Sequence, residues 1–110
     1  NVFGFDIETE AIENARHNSE INKCSKIRFE LGDIGIVPSG DYDVILANIN
    51  RSVLVEIVSD LHRQLISGGL MVLSGLLWEE KEPILRALPR GYSFMEEQRL
   101  EEWVSLVLKK

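Results

Sequence analysis

Short apolar runs separated by segments with helical spacing recur along the whole chain, and few folds accept that order. Val2 to Asp6 reads as a short buried strand. Ala11, Ile12, Ala15 and Ile21 then place an apolar stripe on a helix that Thr9 can cap, with Glu10 and Glu13 near its positive end. Lys26 to Leu31 alternates apolar and polar residues, the pattern of a half-exposed strand. Tyr42 to Ala47 is an apolar run of the kind covered on both faces of a sheet. Helical spacing returns from about Ser52 to Ile66, closed by Ser67-Gly68-Gly69, and Leu70 to Ser74 is another apolar strand. A third helix is expected from about Glu79 to Leu88. Tyr92 to Arg99 and Trp103 to Leu108 read as strands joined at Glu101-Glu102, a connection short enough to force antiparallel pairing. The order is that of an α/β fold with a mostly parallel, doubly wound sheet, helices on both faces and an antiparallel hairpin at the end.

Composition removes several classes of function. The 110 residues suffice for one domain, and no apolar run is long enough to span a membrane. Asn1-Val2-Phe3-Gly4 lacks the basic and apolar regions of a signal peptide. The net charge of −6 argues against direct nucleic-acid binding, which needs clustered Lys and Arg. A single cysteine, Cys24, forms no intrachain disulfide and no cysteine-based zinc site, which fits a reducing cytoplasm. Cys24 sits in a loop-like stretch without an activating partner, and His17 and His62 have no third ligand at metal-binding spacing. Trp78 is expected to cover a helix start, Trp103 to be core, and Lys109-Lys110 to be a solvated end.

Ligands of doubly wound sheets sit at the carboxyl ends of the strands. The first strand ends in Asp6, a short carboxylate that can accept hydrogen bonds from both ribose hydroxyls of a nucleoside, or can cap the next helix. The second ends in Gly32-Asp33-Ile34. Gly32 lets the backbone approach a flat ring, Asp33 can accept an exocyclic amine and Ile34 can pack on the ring face; the same residues also suit a plain turn. The third ends in Asn48-Ile49-Asn50. With Asn50 or Ser52 available to cap the following helix, Asn48 is free to hold a substrate amine towards a methyl donor. Three such groups at successive strand ends would face one crevice.

Gly4-Phe5-Asp6-Ile7-Glu8 resembles the acidic segment that follows the glycine loop in class I S-adenosylmethionine (SAM)-dependent methyltransferases, and Ala11 through Asn22 is similar to the helix after it. Tyr42 to Ile49 resembles the "D-V-V-x-A-N-I" segment of the methyltransferases of ribosomal large-subunit protein eleven. Gly68-Gly69-Leu70 and Leu73 to Leu77 match that family's "P-G-G-x-L-x-x-S-G-I-L", with Ser67 in place of proline, and Glu102-Trp103-Val104 matches its C-terminal "E-W" strand. The resemblance implies a Rossmann-like fold, SAM as cofactor, and N-methylation of lysines and the N-terminal amine of that ribosomal protein. Asp6 would bind the ribose, Ile7 would contact the adenine, Asp33 and Ile34 would lie at the adenine edge, and Asn48 would sit by the methyl group and the incoming amine.

Where the family has Asp-Pro, this chain has Glu8-Thr9, and it contains no Gly-x-Gly. By the resemblance, residues 1–110 are a partial catalytic domain lacking the first strand, the glycine loop and the N-terminal domain that recognises the ribosomal protein substrate. Such a piece is expected to be inactive alone. It would leave unpaired edges on the strands Val2–Asp6 and Tyr42–Ala47, to be closed by direct pairing, self-association or exchange with another chain. Two other readings stand beside this one. A non-catalytic Rossmann-like interaction module is one; a fragment of a nicotinamide-dependent oxidoreductase is the other, since Asp6 would serve an NAD ribose equally well.

Overall fold

A computed structural model describes all residues, 1–110. It divides into two units, Asn1–Pro38 and Ser39–Lys110.

In the first unit, β1 (Val2–Asp6) and β2 (Ile27–Leu31) form a parallel pair in which Val2 lies opposite Ile27 and Asp6 opposite Leu31. Parallel neighbours need a crossover, and α1 (Thr9–Ile21) supplies it. Ile12 is buried, and Arg16 ties the helix to β2 by donating to the Phe29 carbonyl at 3.0 Å. The stripe is shorter than its spacing suggests, because Ile21 is 63% exposed. Thr9 is the first helical residue rather than the cap: Glu8 holds the cap position and makes no side-chain capping bond. The helix stops where Lys23 turns to φ 55° and the Cys24 N–H returns to the Ser19 carbonyl at 2.8 Å, closing the last turn without a glycine.

The second unit is a four-stranded sheet in the order β3-β4-β6-β5, from β3 (Tyr42–Asn48), β4 (Leu65–Leu77), β5 (Ser93–Leu100) and β6 (Trp103–Lys109). β3 and β4 are parallel, joined through α2 (Arg51–Gln64). The last strand pairs antiparallel with both β4 and β5. The expected hairpin is therefore present, with β5 at one edge of the sheet and β3 at the other. Parallel pairing falls on the helix-connected strands, and antiparallel pairing enters with the terminal hairpin.

The core follows from alternation. Met71, Leu73 and Leu76 of β4 and Val104, Leu106 and Leu108 of β6 are buried together with Leu54, Val58 and Leu61 of α2 and Ile84 of α3 (Lys81–Ala87). Each such side chain contributes about 1.5–3 kcal/mol by leaving water. The opposite face of β3 is bare: Val44 is 49% and Leu46 is 76% exposed, which corrects the expectation of a strand covered on both faces. β1 and β3 each have one ladder partner, β2 and β4 respectively.

Ser67-Gly68-Gly69 does not end a helix. α2 stops at Gln64, and Leu65 already pairs with Tyr42. The next register pair is Val44 with Leu70, so residues 66–69 bulge out of the ladder. The bulge is pinned by the chain end. Gly68 donates to the Lys110 carbonyl at 2.8 Å, and the Lys110 N–H donates to Gly69 at 2.9 Å. The Lys110 ammonium donates to the carbonyls of His62 and Leu65, both at 2.7 Å, satisfying acceptors that a helix end leaves open. Lys110 is thus a structural clip rather than a solvated end.

Beside that clip the His62 ring lies edge-on to Tyr92, with Nδ1 3.0 Å from the phenol oxygen. Burial, and secondarily the Lys110 ammonium, holds the His62 pKa below its ordinary 6.5. The unfolded chain then takes up the proton first on acidification. The stabilisation from neutral His62 is complete above pH 6.5 and is lost as pH falls from 6.5 through the depressed folded value. The expected result is a urea midpoint that declines across this window in the native chain and declines less in His62→Gln. Equal slopes in the two proteins would exclude His62 as the source.

Candidate functional site

The ends of β1 and β2 are tied by a bond from the Gly32 N–H to the Asp6 carbonyl, 2.9 Å long, which brings Asp6 and Asp33 to the same end of the first unit. Asp6 is exposed, and its Oδ1 accepts the Glu8 N–H at 2.9 Å. That bond fixes the carboxylate two residues before the cap position of α1 without capping the helix, and Oδ2 is left without a protein donor. A rigidly held carboxylate with a free oxygen is the acceptor a pair of vicinal hydroxyls requires. Ile7 beside it is 70% exposed, an apolar surface open to a ring.

Asp33 realises the turn reading. Its Oδ1 accepts the Gly35 N–H at 2.8 Å and caps the short 3₁₀ turn Ile34–Ile36. Ile34 is half-buried in that turn. Gly32 corrects one expectation. It has φ 153°, and a Cβ there would lie 2.7 Å from the Ile36 side chain, so the space left by the glycine is taken by Ile36 rather than kept for a flat ligand.

Asn48 belongs to the second unit, at the carboxyl end of β3 and opposite Ser74 of β4. Asn50 caps α2, its Oδ1 accepting the Val53 N–H at 3.0 Å, so the capping duty falls where the spacing placed it. The Asn48 carboxamide is exposed and takes part in no protein hydrogen bond, leaving it able to donate and accept. Its neighbour across the strand, Gly75, was passed over in the sequence. The signal was a glycine after Ser74 in an otherwise apolar strand, the mark of a bulge or a close approach.

The remaining candidates separate from any site. Trp78 opens a short 3₁₀ turn before α3, with the Arg99 guanidinium 4.1 Å from its ring centroid and the Lys81 ammonium 5.1 Å away, so it covers a helix start. Trp103 is 48% exposed and is not core. Cys24 is exposed in its turn. No group of three or more His, Cys, Asp or Glu is placed to hold a metal, and no helix is long and apolar enough to cross a membrane.

Helix-connected parallel strands with a terminal antiparallel hairpin are the elements of a Rossmann-like methyltransferase fold. A solved ribosomal protein L11 methylase from Lactobacillus delbrueckii subsp. bulgaricus superposes with a TM-score of 0.89 at 24% identity, covering 98% of this chain and 57% of that one. An RNA methyltransferase from Salinibacter ruber, solved in complex with S-adenosyl-L-homocysteine, gives 0.72 at 18% identity, covering 97% of this chain and 63% of that one. The chain belongs to the ribosomal protein L11 methyltransferase (PrmA) family, whose model it matches over residues 1–110. The ribosomal protein L11 methyltransferase of Bacillus licheniformis is 32% identical over 111 aligned residues, 99% of this chain. The chain spans 36% of that relative's length. Family membership removes the nicotinamide-dependent alternative.

Proposed function

We propose that residues 1–110 are part of the catalytic domain of a cytoplasmic SAM-dependent enzyme that N-methylates ribosomal protein L11 on lysine and N-terminal amines. The observation that carries the reading is the family match across the whole chain, joined to a free carboxylate oxygen on Asp6 at one strand end and an unbonded carboxamide on Asn48 at another.

Bound SAM supplies a methyl group on a sulfonium, open to in-line displacement. Asp6 accepts the ribose hydroxyls, Ile7 and Ile34 give apolar contact to the adenine, and Asp33 accepts at its edge. The free oxygen of Asp6 and the exposed Ile7 fit the nucleoside end of that cofactor. No Gly-x-Gly is present to cradle the methionine end. Asn48 Oδ1 accepts an N–H of the neutral substrate amine and so turns its lone pair towards the methyl group. Displacement of this type depends on positioning more than on an acid–base pair.

The isolated chain is then a weak binder without turnover, and it self-associates through β1 and β3, strands that each have a ladder partner on one side. Two experiments address this. The chain is grafted into the Bacillus licheniformis relative in place of the region it matches. Transfer of labelled methyl to ribosomal protein L11 by the graft, with none by the 110-residue chain, is the expected outcome. Sedimentation is expected to show association of the isolated chain. Turnover by the chain alone, or an inactive graft that folds and binds cofactor, would refute the reading.

A further inference from the structure

We propose that Gly75 is a positioning residue whose missing side chain forms the recess holding the Asn48 carboxamide. In the β4–β6 ladder Leu73 lies opposite Leu106 and Leu76 opposite Val104, so Ser74 and Gly75 together face Ser105 alone. That is a one-residue β-bulge, a device that re-aims a strand beside a functional group. At the bulge Gly75 has φ 69°. A Cβ built there would overlap Asn48 Oδ1 outright and come within 3.2 Å of Cγ and 3.8 Å of Nδ2. The backbone on both sides is constrained, since Ala47, Leu73 and Leu76 are buried and Asn48 is in register with Ser74. The free end of the Asn48 side chain is therefore the part that moves. Gly75 sets the direction in which Asn48 presents its amide, and the smallest side chain at position 75 turns that amide away.

The geometry stands without any assumption about methyl transfer. Its consequence for catalysis rests on the role proposed above for Asn48. A glycine needed for backbone conformation alone is separated by a matched control. Gly68 has φ 81° and nothing within 4 Å of its built Cβ, so Gly68→Ala carries the left-handed penalty without the overlap.

The test follows the side-chain amide signals of Asn48 by NMR in the 110-residue chain, alongside urea midpoints. Gly75→Ala is expected to shift the Asn48 pair, and Gly68→Ala to leave it in place. Any excess loss of midpoint in Gly75→Ala over Gly68→Ala should vanish when Asn48→Ala is the background. An unmoved Asn48 pair, or an excess that persists without the carboxamide, overturns the proposal. If Gly75→Ala does not fold, the Asn48→Ala/Gly75→Ala chain decides: recovery of folding supports the recess, and failure overturns it. A graft in which Asn48→Ala keeps its full methylation rate would refute the role of Asn48 and leave the recess test untouched.

Discussion

Leu106→Ala is expected to destabilise the chain by about 2–5 kcal/mol, the range for emptying a packed leucine site. Leu106 is fully buried on β6, the strand that joins both antiparallel ladders, between Leu73 of β4 and Glu97 of β5. Its neighbours Leu73 and Leu108 are held by register and by the helices above, so the cavity collapses little. Against a total stability of about 5–15 kcal/mol for an ordinary domain, the loss is a large fraction. Urea unfolding of the two proteins measures it. Leu100, 76% exposed on the edge strand, supplies the contrast: Leu100→Ala is expected to stay within about 0.5 kcal/mol of the native chain. Equal costs at the two positions would mean that the sheet does not bury the face described.

Asp6→Ala is expected to weaken S-adenosylhomocysteine binding by about 10²-fold in the grafted enzyme. A hydrogen bond to a charged group contributes about 1.5–3 kcal/mol, and Asp6 is proposed to accept from two hydroxyls. One of its oxygens is already committed to the Glu8 N–H, which places the loss near the lower end of the doubled range. Asp6→Asn keeps the shape and one acceptor while removing the charge, so its affinity is expected to fall between the two. Calorimetric titration of the three proteins gives the order directly. An unchanged affinity in Asp6→Ala would remove this residue from the site.

Much of the fold is legible in the sequence. The bounds of β1 and the antiparallel pairing of β5 with β6 follow from apolar runs and a short connection, both local signals. The Asn50 cap was readable because capping chemistry is set within a few residues. The failures are of another kind. Ser67-Gly68-Gly69 has the composition of a helix stop, yet its conformation is decided by Lys110, more than forty residues away in sequence. Trp103 and the exposed Val44 and Leu46 were misjudged because apolar character states what a residue can bury, not whether anything covers it. Gly75 was missed because its meaning is the position of Asn48 on another strand. Of the candidate site, the placement of Asp6, Asp33 and Asn48 at or just after strand ends was legible in the sequence; the fixing of Asp6 by Glu8 and the commitment of Asp33 to a turn were not.

The most direct test of the central claim, that Asp6 is the ribose acceptor of a methyltransferase, is a calorimetric cycle in the grafted enzyme. Native and Asp6→Ala proteins are each titrated with S-adenosylhomocysteine and with its analogue lacking both ribose hydroxyls. The native protein is expected to lose affinity for the analogue, while Asp6→Ala is expected to bind the two ligands alike. The same loss in both proteins would show that the hydroxyls are held elsewhere and would contradict the assignment.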